Sequence, residues 1–359
     1  MEPSTLVSGA DRRADLSHDQ PLGPAAEAVV QRAVAALEQG QTHYVETGGI
    51  TPLVEALRGL VGAELPGVLV TAGVQEARFL AIQIVGDRLG SVALPAVVDP
   101  GAPRAAALRP LAVSTIPAER PHGFLPTPAA IRAALEAGTK LVYLESPSRL
   151  TGAVYDAATV AEIAALLVEL DGTVIWDQGL APWVHATAYT SVSTQPGMAE
   201  RAIVIGEAWP GVGLESWYVG YLAASNETVD AIRTYKQIVS ICTSTAAQYG
   251  AVAAAKIYPE YHGRQLESLA ETRESSLDRA RARGLDLIEG STANILTIAV
   301  ADVPKALAAL AAAGISAADG AEFGVPGLLR LAATSDDTVL DAIEQLALAQ
   351  SAGQPAGGS

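Results

Sequence analysis

With 359 residues, about half of them hydrophobic, the chain can bury a sizeable core and has the length of one large domain plus a smaller one. Its 39 acidic against 23 basic side chains give a formal charge of −16, and no Lys/Arg cluster interrupts it, which argues against nucleic acid and membrane partners. A single cysteine, Cys242, excludes an internal disulfide framework; it falls on a predicted helix among small residues and reads as a buried structural thiol.

The first fourteen residues and the last nine, from Ser351 onward, are small and polar and are expected to be disordered. The N-terminus lacks the apolar stretch of a signal peptide and no apolar run is long enough to cross a bilayer, so a soluble, cytoplasmic protein is expected. Helical periodicity starts at Pro24 and stops at Gly40. A second helix covers Pro52–Val61, followed by a strand at Val68–Thr71, a helix from Val74 to Arg88 and a strand at Ser91–Val98. Pro100, Gly101 and Pro103 punctuate the chain before the next helix. Short apolar runs then recur at Leu111–Ile116, Lys140–Leu144, Thr173–Trp176 and Ala202–Ile205, with helices at Pro128–Ala137 and Ala157–Leu170 between them. Buried strands interleaved with amphipathic helices predict an α/β fold around a mostly parallel sheet covered on both faces. Ligands in such folds sit beyond the carboxyl ends of strands.

After Tyr221 the pattern changes to two long helices, Asn226–Lys256 and Pro259–Arg283. Strands at Leu285–Ile288, Asn294–Val300 and Leu328–Ala332 follow, with helices at Pro304–Ala313 and Asp336–Ala349. This predicts a second, smaller α+β domain.

Seven loop signatures, in order, carry a resemblance. They are Tyr44-Val-Glu-Thr-Gly-Gly with Leu57-Arg58, Thr71-Ala-Gly73-Val-Gln75, Asp99-Pro-Gly-Ala-Pro103, Ser146-Pro-Ser-Arg149-Leu-Thr-Gly152, Trp176-Asp177-Gln178, Gly213-Leu-Glu-Ser-Trp-Tyr218-Val-Gly-Tyr221 and Gly327-Leu-Leu-Arg330-Leu. Together they resemble the class I/II aminotransferases of the pyridoxal phosphate fold type I, from about Asp15 to Ala349. The resemblance implies a small-domain segment at residues 15–43, a large domain over 44–256 and a small α+β domain over 257–350. It also implies a homodimer, with Tyr44 reaching toward the partner's site.

That family's chemistry needs a lysine amine bonded to the cofactor. The chain has four lysines, Lys140, Lys236, Lys256 and Lys305, and none lies in the loop Gly206–Gly213 where the resemblance places it. Lys236, the nearest in sequence, reads as a solvated helix residue. Tyr218 stands where the family has a phosphate-binding arginine, and Glu207 lies in the loop that should carry a serine. Ala102 replaces a stacking aromatic, Arg149 an asparagine and Leu180 a tyrosine. Of the ring contacts only Asp177, the partner of the pyridine nitrogen, remains; Gly73 and Gln75 read equally as cofactor-binding groups and as a plain turn, and Tyr44 as a binding group or a packed aromatic. Asp177 reads equally as a strand-end carboxylate capping the following turn.

Arg330 matches the arginine that grips a substrate α-carboxylate, with Arg149 as a second anion contact. Trp209 and Tyr44 complete the expected substrate-binding set. Glu207, Tyr218, His18 and His185 are the candidate acid–base groups, the histidines because they titrate near neutral pH. No metal-ligand spacing occurs. Three functions remain open. The first is an aminotransferase-fold enzyme without lysine-bound cofactor, performing isomerisation, cyclisation, elimination or condensation on a carboxylate-bearing amino acid or related metabolite, in specialised metabolism. The second is a related enzyme holding pyridoxal or pyridoxamine phosphate non-covalently. The third is a non-catalytic binding protein or partner subunit. The damaged phosphate cup leads to the expectation of no cofactor.

Overall fold

The computed structural model describes residues 14–19, 24–185, 187–333 and 338–351. Most of the two termini read as disordered from sequence thus lies outside the described residues. The chain opens with β1 (Ala14–Asp15), α1 (Glu27–Glu38) and α2 (Thr51–Val61). Next come β2 (Gly67–Ala72), α3 (Gly73–Leu89), β3 (Ser91–Pro95), α4 (Gly101–Ala106), β4 (Ala112–Ile116), α5 (Pro128–Glu136), β5 (Leu141–Glu145), α6 (Ala157–Glu169), β6 (Thr173–Asp177), β7 (Ala202–Glu207) and β8 (Val219–Ala224). The rest is α7 (Asn226–Val239), α8 (Thr245–Ala282), β9 (Asp286–Leu287), β10 (Ile295–Ala299), α9 (Val303–Ala312), β11 (Ile315–Ser316), β12 (Ala318–Asp319), β13 (Leu328–Ala332) and α10 (Thr338–Ser351). Thr127, Asp156, Ser225 and Asp302 cap α5, α6, α7 and α9 by accepting a backbone N–H of the first turn.

Seven strands form the large sheet in the order β2-β8-β7-β6-β5-β3-β4, and β8 alone runs against the others. The α/β fold with a mostly parallel central sheet is therefore as expected. Strand alternation divides the core. Val142, Leu144, Val174 and Trp176 pack on the face covered by α2, α6 and α8, whereas Tyr143 and Ile175 face α3. By the same period of two, Glu145 and Asp177, adjacent in register, project toward α3. A four-stranded antiparallel sheet, β12-β13-β10-β9, backs the second core together with α9 and α10. The two-residue β1 pairs with β11 and leads the N-terminal segment into the cleft between the cores.

Three local expectations are corrected. The helix predicted over Asn226–Lys256 breaks between α7 and α8, where Ser240 and Ile241 turn their amides back to the Lys236 carbonyl and Ile241 takes φ 59°. Pro259 does not start a helix but lies inside the 38-residue α8. The ring removes one helical hydrogen bond; across that turn Tyr258 stacks on His262, with centroids 4.6 Å apart, and His262 Nε2 lies 2.7 Å from the Pro182 carbonyl. Cys242, read as a buried helical thiol, is half-buried in the bend between the two helices.

Candidate functional site

The carboxyl ends of β5 and β6 and the first turns of α3 enclose a sealed charge network. Asp177 closes β6 with no solvent exposure. Its Oδ2 accepts from Arg78 Nη2 at 2.8 Å and from the Tyr143 hydroxyl at 2.7 Å. Its Oδ1 accepts from Arg149 Nη2 at 2.7 Å and from the Gly179 amide at 2.9 Å. The Gly179 contact is the turn cap the sequence allowed. Arg78 also donates to Asp99 at 2.7 Å, to Gln75 at 2.8 Å and, through Nε, to the Tyr143 hydroxyl at 2.8 Å.

Burial would disfavour every charge here, and the partners decide which survive. Desolvation pulls the Asp177 carboxyl upward, yet Arg149 and Arg78 outweigh it and hold it well below the carboxylate range. Glu145 goes the other way. Burial, then the charges of Asp177 and Asp99, push it up to about 8, although its oxygens accept the amides of Asp99 and Arg149 at 2.8 and 3.0 Å.

From the small domain, Arg330 projects off β13 opposite Thr297, with no solvent exposure. Its Nε donates to the Arg149 carbonyl at 2.6 Å, and Nη1 donates to the carbonyls of Ser17 at 2.9 Å and His18 at 3.2 Å. Arg330 Nη2 and Arg149 Nη1 each hold one oxygen of the Asp19 carboxylate. Burial raises the Asp19 carboxyl, and the two guanidinium charges reverse the sign and leave it below its ordinary value.

A cleft of ≈ 390 Å³ opens above this network, lined by His18, Asp19, Gly73, Gln75, Glu207 and Tyr218, among others. Gly73, at φ 69°, lets the chain turn from β2 into α3 beneath the Tyr218 ring, and Tyr218 is itself left-handed at φ 52°. Glu215, on the same wall, has a buried Oε1 without a hydrogen-bond partner, and burial pushes its carboxyl up.

The structure thus brings together Asp177, Arg149, Arg330, His18, Gln75, Gly73, Glu207 and Tyr218 from the sequence-predicted set. Trp209 lies elsewhere, in a second cavity of ≈ 500 Å³ with Tyr189, Tyr221, Tyr258 and His262, which shares Glu207 with the cleft. His185 is outside both; its Nδ1 lies 3.1 Å from the Trp183 carbonyl, and burial lowers its pKa. Tyr44 is 80% exposed and does not line its own chain's cleft. Lys236, read as solvated, is fully buried, with Nζ on Glu76 at 2.7 Å and on Ser240 at 3.0 Å. Arg78, Tyr143, Glu145 and Asp19 were not singled out from sequence. The available signal was a charged or hydroxyl-bearing side chain at positions whose neighbours are all core: Arg78 between Ala77 and Leu80, and Glu145 ending an otherwise apolar strand.

The profile describing aminotransferase class I and II matches residues 13–346. The aspartate aminotransferase of Thermotoga maritima is 24% identical over 95% of this chain and 92% of its own. The aspartate/prephenate aminotransferase of Thermus thermophilus is 27% identical over 89% and 86%. Among solved structures, the Thermus thermophilus aspartate aminotransferase with maleate superposes with a TM-score of 0.85 at 24% identity, covering 94% of this chain and 92% of that one.

The family match corrects one expectation. A pocket without a cofactor was expected, whereas the matched family is the one whose chemistry runs on pyridoxal phosphate. Loop Gly206–Gly213 holds no lysine, Lys236 is committed to Glu76, and both oxygens of Asp177 are taken by guanidinium groups. A side-chain carbon placed on Gly179 would meet Arg149 Nη2 at 2.1 Å, which shows how closely that guanidinium fills the space beside Asp177.

Proposed function

The chain belongs to the class I and II aminotransferase family, and from that premise we propose an enzyme acting on a small amino acid or related metabolite that presents a carboxylate. One observation carries the reading. Two sealed arginines, one from each domain, converge on a single carboxylate at the floor of the cleft. A guanidinium pair of this kind is the donor arrangement that fixes a carboxylate in orientation. Glu207 and Glu215 on the facing wall suit the ammonium end of the same amino acid. His18, Glu207, Glu215 and Tyr218 line the cleft with groups able to move a proton, and an acid–base reaction such as isomerisation, cyclisation, elimination or condensation is the class they support.

We further propose that no lysine of this chain forms the family's covalent link. Support comes from the sequence of the Gly206–Gly213 loop and the burial of Lys236 against Glu76. A homodimer is proposed on the exposed Tyr44, Ile238 and Val239, apolar surface that a second copy would cover.

Absorbance of the purified chain with and without pyridoxal phosphate, then borohydride reduction and intact mass, tests the lysine proposal. No reduced adduct is expected on any of the four lysines. A stoichiometric adduct on Lys236 would return the chain to lysine-linked chemistry. Loss of amino acid binding in Arg149→Gln, with the fold intact by circular dichroism, tests the carboxylate site; unchanged binding sinks it.

A further inference from the structure

We propose that Asp19 is an internal stand-in for the ligand's carboxylate, so that the strap Ser17–Asp19 blocks the arginine site until a ligand displaces it. The inference rests on the carboxylate reading of the site given above, and it adds a regulatory contact to it.

The arginine site is filled from within the chain. Arg149 and Arg330 are 1% and 0% exposed, whereas the Asp19 side chain above them is about a third exposed and faces the cleft. A ligand entering the cleft therefore meets Asp19 before it can meet either guanidinium.

Charge balance requires one carboxylate at this place. Three buried guanidinium groups, Arg78, Arg149 and Arg330, stand against Asp99, Asp177 and Asp19. Glu145, the remaining acid of the network, is pushed up to about 8 by burial, and its oxygens accept the backbone amides of Asp99 and Arg149. Withdrawal of Asp19 leaves one uncompensated positive charge in a sealed site, which only another anion restores. A ligand carboxylate is the like-for-like replacement.

The strap is also tied in a way that lets Asp19 leave alone. Upstream, β1 lies on β11 and the Ala332 amide donates to the Leu16 carbonyl at 2.8 Å, which fixes residues 14–16 to the small domain. Among the described residues, the one further contact of Asp19 beyond its two arginine partners is the hydrogen bond from Asn294 Nδ2 to its carbonyl at 2.8 Å. Rotation of the Asp19 side chain releases both guanidinium groups while β1 stays on β11.

An internal competitor lowers apparent affinity by the fraction of time it occupies the site, and its removal gives that factor back. The test titrates succinate into the full-length chain, Asp19→Ala and Asp19→Asn at matched ionic strength, with melting curves in acetate alongside. Succinate should bind both variants at least about tenfold more tightly than the native chain, and acetate should raise the melting temperature of the variants only. Asp19→Asn, which keeps the side chain's size, carries the comparison if Asp19→Ala does not fold. Adding Arg149→Gln to Asp19→Asn should abolish the gain. Equal succinate affinity in native and variant chains overturns the stand-in role while leaving the carboxylate site standing. A gain that survives Arg149→Gln also overturns it. No response to succinate or acetate in any chain overturns the stand-in and the carboxylate reading together.

Discussion

Arg78 and Asp177 meet at 2.8 Å with both side chains closed off from solvent, 1% and 0% exposed. A side chain of α3 and the carboxylate that ends β6 are thereby locked together. Breaking a buried pair by removing one partner strands the other's charge and costs about 3–5 kcal/mol. Arg78→Met should destabilise the fold by that amount in urea denaturation. A loss under about 1 kcal/mol would mean that Arg149 alone satisfies Asp177.

Glu145 gives the fold a pH dependence of a particular sign. Its carboxyl sits at about 8 in the folded chain, above its ordinary 4.5. The folded state therefore binds the proton more tightly, and the stability involved is complete below 4.5 and drains away as pH rises toward 8. The slope for one such proton is at most about 1.4 kcal/mol per pH unit. Asp177 and Asp19, held low, act oppositely and lose their contribution only below pH 4. Urea midpoints from pH 5.5 to 9.5 should decline in the native chain and flatten in Glu145→Gln; parallel slopes would contradict the assignment.

Tyr218 occupies left-handed backbone at φ 52° and is 63% exposed. Glycine carries no Cβ penalty in that region, whereas alanine keeps it. Tyr218→Gly should thus be about 1 kcal/mol more stable than Tyr218→Ala, the reverse of the usual order. Thermal melting of the two variants decides it.

Lys236 and Glu76 form a second sealed pair, with Glu76 also accepting from the Ala72 amide at 2.6 Å and the Ser240 hydroxyl at 2.6 Å. Lys236→Ala should cost about 3 kcal/mol, and the double variant with Glu76→Leu should recover part of it. A double-mutant cycle by chemical denaturation measures the coupling; strict additivity would show that the pair contributes nothing as a pair.

Most of the fold was readable because buried parallel strands are short apolar runs between amphipathic helices. The strand predicted at Thr173–Trp176 is Thr173–Asp177, and the helix predicted at Ala157–Leu170 is Ala157–Glu169. What escaped was set by tertiary contacts. The break after Val239 coincides with Ser240 bonding Glu76 some 164 residues away, which no local propensity encodes. Loop motifs singled out Asp177, Arg149, Arg330 and the cleft wall, and the structure places them side by side. Asp19 and Arg78 were not singled out, because their meaning lies in which charges converge: Asp19 reaches Arg330 across 311 positions of sequence and Arg78 reaches Asp177 across 99. His185, chosen because it titrates near neutral pH, lies outside the cleft lining with its Nδ1 3.1 Å from the Trp183 carbonyl.

Helix α8 has one more consequence. Ala247, Ala251 and Ala254 near its start belong to the large-domain core, and Leu269 and Ala280 near its end belong to the small-domain core. A rod shared in this way denies either half an independent life. Loosening the far end exposes the near end, so the two cores should melt as one event in calorimetry, with a single peak whose van't Hoff and calorimetric enthalpies agree.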